Sequence, residues 1–326
     1  MDNKKSLLTI LENSGDFVSG SDLAGRLGVT RASVWKYIKS LKSDGYNIEA
    51  VTNRGYRLSP LSDVVTSDGV TKELGALAGY FSVEVLPECT STNSVIKERA
   101  SELREWHTVI AGRQTEGRGR RGRSFYSPDG TGLYMSVLLR PKLSASDAVL
   151  ITAAAAVAVC RAVREVADVK AEIKWVNDIY IGGKKVCGIL TEASVDMESG
   201  DIEYAVLGVG INITEPEGGF PDELSSTAGA VFSSGQHNMR NRLAAAFLKN
   251  LYIIYEDFAS CGFVNEYREL SFLRGKQVNV LRGEEAVPAF VMGIDDRCRL
   301  MVRYTDGQVE ALSSGEVSVR GTEDVK

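Results

Sequence analysis

The first sixty residues carry apolar side chains at helical spacing in three successive stretches. Leucine and isoleucine recur every three or four positions between residues 4 and 14. A second apolar stretch opens at Ser21-Asp22 and stops at Gly28, and a third, which Thr30 caps, has apolar residues at positions 34, 38 and 41. Two helices joined by a turn that contains glycine form a helix-turn-helix, whose second helix enters the major groove of DNA. The pattern predicts this arrangement for the second and third stretches.

The alternating segment after the third stretch predicts a β-hairpin. Residues 48–58 alternate in strand fashion around a turn at Asn53-Arg54-Gly55. A hairpin directly after a recognition helix is a wing, and a cation at its tip is expected to meet phosphates, which gives affinity but not sequence choice. A protein-binding or purely structural module is the alternative. The candidate DNA-binding residues are the polar positions on the solvent side of the third stretch and the wing tip: Arg31, Ser33, Lys36, Lys39 and Arg54.

Strand and helix patterns are mixed beyond residue 80. Strands are expected at residues 81–86, 108–112, 133–139, 171–175, 179–181, 186–193 and 204–209, and helices at 92–103, 148–167 and 240–260. Because the two do not alternate regularly, the pattern indicates an α+β fold. The apolar run from Ala148 to Cys160 is too short to cross a bilayer, so we expect a buried helix capped by Ser146-Asp147 and no membrane contact.

From residue 275 onward short strands alternate with turns, which predicts a small β-barrel. Strands are expected at residues 277–281, 288–294, 300–304, 308–312 and 317–320, with one of the turns at Arg282-Gly283. At the other end of the central region, Pro60 and a polar stretch loosen the chain before a short helix near residues 70–77. The predicted domains are therefore residues 1–62, 63–272 and 273–326.

Composition and charge narrow the classes of function. The chain has 326 residues, 44% hydrophobic and 25% charged, which is typical of soluble globular proteins. Its five cysteines include no C-x-x-C pair, and its first residues lack the layout of a secretory signal, so we expect a cytoplasmic protein without disulfides. Its two histidines, His107 and His237, have no metal-ligand or triad spacing, which argues against a histidine base or a histidine-bound metal.

The charge is unevenly divided between the head and the rest of the chain. Residues 1–60 have nine Lys/Arg against six Asp/Glu, whereas the whole chain has a formal net charge of −5. A basic head on an acidic body points to an anionic partner for the head alone.

Residues 117–123 read Gly-Arg-Gly-Arg-Arg-Gly-Arg, a segment suited to holding anions. Arginine offers a planar fork of donors to carboxylate or phosphate, and glycine lets the backbone approach a ligand closely. A polybasic surface segment without a specific ligand is the alternative interpretation. The G-x-G-x-x-G spacing also matches the dinucleotide fingerprint, but a turn with Pro128 follows where that fingerprint needs a helix, and no Walker A motif is present.

Four further segments combine polar groups with glycines or an aromatic face. Taken singly, each is as well explained by a helix cap, a core tryptophan or a turn. The segments are Ser91-Thr92-Asn93 at a helix start, Gln114 before the arginine loop, Lys174-Trp175-Val176-Asn177-Asp178 with the returning Lys185 to Leu190 strand, and Gly208-Val209-Gly210-Ile211-Asn212.

The order of these motifs resembles the biotin-protein ligase family over nearly the whole chain, in its bifunctional type with an N-terminal repressor head. The resemblance implies a winged helix-turn-helix, a mixed α/β ligase domain similar to class II synthetases, and an SH3-like C-terminal barrel. It also implies a reaction in two steps. Biotin's carboxylate attacks the α-phosphate of ATP, with Mg²⁺, to give biotinyl-5′-AMP and pyrophosphate, and a lysine of a carboxylase biotin carrier domain then displaces AMP.

The resemblance also assigns roles to individual residues. Lys185 and Arg120 are the expected catalytic residues, and no protein-held metal is expected. Asp178 is a weaker candidate for orienting the attacking lysine or a metal. The expected biotin-binding residues are Ser91, Thr92, Asn93, Gln114, Arg118, Gly119, Arg120 and Lys185, and the expected ATP and adenylate contacts are Arg120, Arg121, Arg123, Phe125, Asn177 and Asn212.

Two positions depart from the family pattern. Phe125 stands where the family commonly has a tryptophan that packs on adenine, so a smaller stacking face is available. Val176 stands where proline is usual and leaves the neighbouring polar groups in place. We also expect the irregular residues 214–228 to order over the adenylate.

Three functional hypotheses follow from the resemblance. The leading one is a ligase that stores its adenylate and, as an adenylate-promoted homodimer, binds operator DNA, so that biotin is both substrate and corepressor precursor. The second is a biotin-sensing transcription factor without ligase activity. The third is a ligase whose head no longer binds DNA.

Overall fold

The computed structural model describes residues 2–234, 237–282 and 285–319. The head folds around a hydrophobic core of its own, in which Leu7, Val34 and Ile38 are at most 3% exposed. This arrangement confirms the winged helix-turn-helix that the apolar pattern predicts. Its elements are α1 (Asn3–Ser14), α2 (Gly20–Leu27), α3 (Arg31–Ser43), β1 (Ile48–Val51) and β2 (Gly55–Leu58).

Side-chain caps fix where the head's helices begin. Thr30 caps α3 as predicted, because its hydroxyl accepts the Ser33 N–H at 3.1 Å. The prediction that Ser21-Asp22 opens α2 is wrong. The cap is Ser19, whose hydroxyl accepts the Asp22 N–H at 3.0 Å.

A seven-stranded sheet is the base of the central region. Its strands follow the order β3-β4-β5-β9-β8-β7-β6, and only β3 and β4 are parallel among these neighbouring pairs. A mixed sheet with helices packed on it is the α+β class that the sequence predicts. The elements are α4 (Ser67–Leu74), β3 (Ser82–Cys89), α5 (Thr92–Arg99), β4 (His107–Gln114), β5 (Gly132–Leu139), α6 (Ala148–Ala167), β6 (Glu172–Lys174), β7 (Asp178–Ile181), β8 (Lys184–Val195), β9 (Ile202–Asn212), α7 (Asp222–Ser225), α8 (Met239–Glu256) and α9 (Phe263–Leu270).

The central helix α6 is buried on one face of this sheet. Met135, Leu207 and Val209 belong to the main hydrophobic core together with α6 and α8. By length and composition, residues 145–167 would pass for a membrane span, but 67% of the most apolar window is buried inside the fold. The helix is therefore the core helix that the sequence predicts. Its N-cap residue, Asp147, makes no side-chain capping bond.

Several predicted segments differ from the observed ones. The helix predicted at residues 240–260 ends at Glu256 and is followed by a 3-10 turn at Phe258–Ser260. The helix predicted near residues 70–77 is α4, which ends at Leu74. Helix α5 ends at Arg99 rather than at residue 103, because the residues after Ala100 form a turn in which Glu102 and Leu103 donate to the Arg99 carbonyl. Residues 214–228 are not wholly irregular, since they contain α7 and end in a bridge between Ala228 and Lys185.

The C-terminal part is a five-stranded antiparallel sheet in the order β13-β12-β11-β10-β14. It shares the main core with the central helices, and the indole N–H of Trp175 donates to the Cys298 carbonyl at 3.0 Å. Gly283 of the predicted turn and Arg320 of the last predicted strand lie outside the described residues. The strands are β10 (Gln277–Arg282), β11 (Glu285–Ile294), β12 (Leu300–Tyr304), β13 (Val309–Leu312) and β14 (Glu316–Val319).

The linker after the head is clamped by the start of α8. The Arg240 N–H donates to the Asp63 carboxylate at 2.9 Å, and the Arg240 guanidinium reaches the Asp63 carbonyl. The amide of Asn241 donates to the Val64 carbonyl at 2.8 Å and accepts the Thr66 N–H at 2.9 Å. Burial raises the pKa of Asp63 although Arg240 opposes the rise. Backbone and side-chain groups at the N-terminal end of α8 thus bind the linker to the central region.

Candidate functional site

The open face of the central sheet has three rungs of paired residues across β5, β9 and β8. Side chains on alternate positions of a strand share a face, so residues two apart on these strands point toward the same side. Glycines occupy two positions of the strand β9, which leaves space above the sheet. The rungs are Leu138–Val206–Glu192 (outer), Ser136–Gly208–Leu190 (middle) and Tyr134–Gly210–Gly188 (inner).

The side chain of Asn93, from α5, packs against the middle rung. A methyl group on Gly208 would stand 2.3 Å from its Oδ1, so only glycine leaves room for the side chain. Its Oδ1 is 2.6 Å from the Ser136 hydroxyl, and its Nδ2 donates to Glu192 at 2.8 Å. Asn93 is 3% exposed. The second residue of α5 is thus held flat against the sheet.

Thr92 and Gln114 extend this network toward the end of β4. The backbone N–H and the hydroxyl of Thr92 lie 2.9 and 3.2 Å from the Gln114 Oε1. The Gln114 Nε2 donates to the Ser127 hydroxyl at 3.0 Å, and Ser127 donates to the Phe125 carbonyl at 2.9 Å. Ser91, the N-cap residue of α5, makes no capping bond with its hydroxyl. This hydroxyl can therefore serve a ligand.

The arginine loop forms a finger whose base is closed by backbone bonds. The Phe125 N–H donates to the Gly117 carbonyl at 2.8 Å, and the Gly119 N–H donates to the Arg123 carbonyl at 2.7 Å. A methyl on Gly117 would stand 2.3 Å from the Phe125 carbonyl oxygen. Arg121 at the tip has a φ of 56°, a left-handed conformation that is uncommon outside glycine.

Lys185 and Asp178 form an ion pair beside the finger, with Lys185 Nζ 2.7 Å from Asp178 Oδ1. The Arg120 guanidinium donates to the Asn177 Oδ1 at 3.1 Å, and the Asn177 amide donates to the Ile189 carbonyl at 2.9 Å. The peptide bond between Trp175 and Val176 is cis. The strand-end motif therefore brings a cation, a carboxylate and an amide to one place.

Phe125 lies on the inner rung. A methyl on Gly210 would be 2.5 Å from its Cε1, and one on Gly188 would be 3.2 Å from its Cε2. The ring of Tyr134 packs edge-on against it, with centroids 6.4 Å apart. The two glycines thus let an aromatic ring rest directly on the sheet.

One cavity of about 140 Å³ lies between these elements, and Ser127, Tyr134, Ser136 and Glu192 are not among the residues that line it. Gly315 and Val317 of the C-terminal sheet line it. Asn212 is not among its lining residues, since its amide donates to the Gly229 carbonyl at 2.9 Å. The expected site residues that the cavity brings together are Ser91, Thr92, Asn93, Gln114, Arg118, Gly119, Arg120, Arg121, Arg123, Phe125, Asn177, Asp178 and Lys185.

The expected DNA-binding residues are spread over α3 and the wing. Arg31, Lys36 and Lys39 are exposed. Ser33 is half-buried, with its hydroxyl 3.0 Å from that of Thr30. The Arg54 guanidinium folds back over the Phe17 ring, 4.3 Å from its centroid, instead of standing clear at the wing tip.

Some functional candidates escape the sequence patterns. Trp35 is 55% exposed on α3, with Lys39 Nζ 5.5 Å from the centre of its ring, although a tryptophan in an amphipathic helix is normally counted with the core. Ser136 stands in an apolar strand, and Glu192 has no motif around it. Ser136 and Glu192 join the site only through the pairing of strands that are distant in the sequence. No local sequence pattern predicts that pairing.

The donor set of the site bears on the Mg²⁺ that accompanies ATP in the family. Within residues 2–234, 237–282 and 285–319, no cluster of three His, Cys, Asp or Glu side chains could hold a metal ion. Asp178 is the carboxylate that lines the cavity. Mg²⁺ commonly takes one or two carboxylates together with substrate phosphates, so the residues present fit an ion that arrives with ATP.

Family models match three stretches of the chain. A model described as HTH domain matches residues 3–57, the biotin/lipoate A/B protein ligase family matches residues 85–212, and the biotin protein ligase C terminal domain matches residues 274–320.

Curated relatives align with nearly the full chain. It is 32% identical over 329 residues to the bifunctional ligase/repressor BirA of Bacillus subtilis, an alignment that covers 97% of this chain and 98% of the relative. It is 30% identical over 321 residues to the protein of the same name from Escherichia coli, covering 97% of each. Among solved structures, a biotin protein ligase from Aquifex aeolicus in complex with biotin and ATP matches with a TM-score of 0.62 and 27% identity, over 73% of this chain and 98% of that one.

Proposed function

The chain belongs to the biotin-protein ligase family, in its bifunctional ligase and repressor branch, and on that premise we propose how its residues carry out the two activities. It activates biotin with ATP to biotinyl-5′-AMP and transfers biotin to a lysine of a carboxylase carrier domain. With its head it represses transcription by binding operator DNA. The cavity accounts for the first activity and the winged helix for the second.

One observation supports this proposal most strongly: a single cavity has a neutral end and a cationic end. Ser91, Thr92, Asn93 and Gln114 line the neutral end, where a ureido ring needs donors and acceptors without charge. The arginine finger and Lys185 line the cationic end, where a carboxylate and a triphosphate must meet. Biotin is a neutral ring joined to a carboxylate, so its two parts match the two ends.

The first reaction step brings two anions into contact. At an effective dielectric of about 20, each pair of unit charges about 4 Å apart repels by about 4 kcal/mol. Lys185 binds the biotin carboxylate and the α-phosphate that the carboxylate attacks. The polyphosphate is bound by Arg120, Arg121 and Arg123. These cations stabilise the charge that develops in the transition state. Mg²⁺ bound with ATP supplies further neutralisation of the phosphates.

Two residues organise the nucleotide end of the site. Asn177 accepts a hydrogen bond from Arg120 and so fixes the orientation of the Arg120 guanidinium. Asp178 pairs with Lys185 and keeps its ammonium aimed into the cavity until the ligands bind. In the second step, a carrier lysine attacks the mixed anhydride, and AMP leaves.

Adenylation and transfer can be tested with the purified protein. Incubated with biotin, ATP and Mg²⁺, it should release pyrophosphate and label the lysine of an isolated carrier domain, as measured by mass spectrometry. Pyrophosphate release without labelling would restrict the chain to adenylate synthesis. If neither occurs in the pure protein, the chain is a biotin-sensing regulator rather than a ligase.

The repressor role depends on α3 and on a two-fold assembly. Helix-turn-helix dimers read two half-sites, so we propose that the adenylate promotes a cytoplasmic homodimer that presents two heads. Sedimentation with and without biotin plus ATP tests this assembly. A mass that stays that of a monomer on adenylate formation would remove the dimer from the mechanism.

Operator binding should depend on Lys36. Lys36→Glu reverses a charge on the exposed side of α3 and should abolish a mobility shift of operator DNA that biotin plus ATP otherwise strengthens. Lys72→Glu on α4 makes the same change of charge on an exposed residue outside the head and serves as the control. Equal binding by both variants would mean that α3 is not the recognition helix.

A further inference from the structure

Glu192 lies on the outer rung, just outside the cavity, with its carboxylate held from two sides. Its Oε2 accepts a hydrogen bond from the Asn93 Nδ2 at 2.8 Å, and its Oε1 accepts one from the Lys97 Nζ at 2.7 Å. It is not among the residues that line the cavity. Its hydrogen bond to Asn93 and its electrostatic interaction with Arg118 connect it to residues that do line the cavity.

An ionised carboxylate can only accept hydrogen bonds, so Glu192 fixes the orientation of the Asn93 amide at 2.8 Å, together with the Leu190 carbonyl, to which Nδ2 makes a longer contact of 3.4 Å. With Nδ2 directed at Glu192, the Oδ1 must face Ser136, whose hydroxyl is 2.6 Å away. Burial would raise the pKa of Glu192, but the hydrogen bonds from Lys97 and Asn93 and the charges of Lys97 and Arg118 together lower it. The lowered pKa favours the ionised carboxylate, which accepts hydrogen bonds.

The far end of the same network is fixed in the same way by a backbone carbonyl. Ser127 donates to the Phe125 carbonyl and accepts from the Gln114 Nε2. The Gln114 Oε1 therefore faces Thr92, whose N–H donates to it. Both amides of the neutral end are locked in orientation, one from each side.

Between these two amides, hydroxyl protons are scarce. Ser136 lies 2.6 Å from Asn93 Oδ1 and 2.6 Å from Thr92 Oγ1, and Thr92 Oγ1 lies 3.2 Å from Gln114 Oε1. The two hydroxyls have one proton each for these contacts, so neither has a proton to give to a ligand. Toward a ligand the network offers acceptors, which suit the N–H groups of a ureido ring, while Ser91 retains a hydroxyl proton for its carbonyl.

We propose that Glu192, supported by Lys97, is a positioning residue that sets the hydrogen-bond direction of the neutral end and thereby its preference for a ureido ring. The inference rests on the proposed function. In Glu192→Gln the new amide can donate to Asn93 Oδ1, so the Asn93 amide can turn over. Its Nδ2 then donates to Ser136, whose proton turns to Thr92 Oγ1. The hydroxyl of Thr92, which lines the cavity, can then direct its own proton to a ligand, which changes an acceptor into a donor.

The test compares two ligands by isothermal titration calorimetry on the full chain. Biotin has a neutral ureido carbonyl, and 2-iminobiotin has a cationic guanidinium donor in its place, so a variant that removes the same charge elsewhere is titrated with both ligands as well. Glu192→Gln should weaken biotin binding about tenfold, the equivalent of one hydrogen bond, and should change the ratio of the two affinities by at least about threefold. The rate of adenylate formation at saturating biotin and the KM for ATP should stay as in the wild type.

Two further variants separate positioning from a general loss of structure. Glu203→Gln on β9 removes an exposed carboxylate that accepts from the Ser194 hydroxyl at 3.0 Å, and it should leave both affinities unchanged. Lys97→Met leaves the carboxylate in place but without its cation, and it should weaken biotin binding by about two- to threefold. Because the acceptor for Asn93 remains, Lys97→Met should leave the ratio of the two affinities unchanged. If Glu192→Gln does not fold, Glu192→Met, which also removes the acceptor, tests the same ratio.

The outcomes distinguish the inference from the function on which it rests. Wild-type protein that does not bind biotin would overturn the proposed function itself. Wild-type binding with an unchanged affinity ratio in Glu192→Gln, or in Glu192→Met where that variant is used, would overturn the positioning role alone. A parallel loss of both affinities together with a lower melting temperature would identify Glu192 as a structural residue, and the proposal would also fall.

Discussion

The two ends of the cavity differ in the way they are held. At the neutral end, Thr92, Asn93 and Ser136 are at most 3% exposed, and their polar groups are already hydrogen-bonded to one another. At the cationic end, the arginines extend from an exposed finger whose tip residue, Arg121, has a left-handed backbone.

This difference shows that binding and reaction need different surroundings. A neutral ring is recognised by the direction of hydrogen bonds, which a buried network fixes in advance. Two anions are brought together by charge, which acts over longer distances and tolerates a more exposed scaffold. Changes at the neutral end should therefore alter affinity for biotin, and changes at the cationic end should alter the rate of adenylation.

The largest effect is expected when Lys185 is replaced by methionine. Loss of one preorganised cation in the transition state should lower kcat/KM for adenylate formation by about 10²- to 10³-fold. Binding of biotinamide, which lacks the carboxylate, should not change in calorimetry. Lys184→Met is the matched control, because the Lys184 ammonium donates to the Ser225 carbonyl outside the cavity. An equal loss of biotinamide affinity in Lys185→Met would show that the two ends are not independent.

Gly208→Ala tests the neutral end. The added methyl would lie 2.3 Å from Asn93 Oδ1, and Asn93 cannot move away without breaking its bonds to Ser136 and Glu192. Overpacking of this kind should weaken biotinamide binding by about tenfold to a hundredfold. Gly79→Ala adds a methyl where no atom lies within 4 Å and should change nothing. Wild-type affinity in Gly208→Ala would contradict the packing at the middle rung.

Phe125→Ala tests the boundary between the two ends. Loss of a stacking face should speed adenylate dissociation by about three- to tenfold. Tyr126→Ala, in which a neighbouring ring outside the cavity lining is removed, is the control, and stopped-flow fluorescence measures both variants. Unchanged dissociation in Phe125→Ala would mean that the ring does not contact the nucleotide.

Salt should have the smallest effect and requires no substitution. Salt at an ionic strength of about 0.1 M screens the attraction between exposed charges that lie more than about 10 Å apart. The KM for ATP should therefore rise a few-fold as salt is added. Biotinamide binding, which depends on buried neutral groups, should remain constant. A parallel salt dependence for both ligands would refute the separation into a neutral and a cationic end.

The sequence predicts local features well and contacts between distant strands poorly. Thr30 and Gly28 delimit helices of the head because capping and the left-handed conformation are properties of single residues. Ser136 and Glu192 take part in the site only because β5, β9 and β8 pair in one particular register. Asn212 belongs to a recognisable motif, yet its amide is turned toward Gly229, a contact that no spacing rule contains.

The expectations for the head divide in the same way. Its three helices follow from the periodicity of apolar residues, whereas the position of Arg54 depends on Asp16 and Phe17 in a different part of the fold. Trp35 illustrates the limit of an amphipathic pattern, which marks positions as apolar but does not reveal that one of them faces outward.

The hydrophobic core of the head is separate from the main core, and this separation has consequences for unfolding and for the loss of domains. The head, with a core of its own, can melt in a separate calorimetric transition, while the central region and the C-terminal sheet must melt together because they share one core. A gene that lost the head would still encode a body with its core intact. A gene truncated after residue 272 would leave the indole of Trp175 without the Cys298 carbonyl and would uncover the body's core, so the last sheet cannot be exchanged as a module.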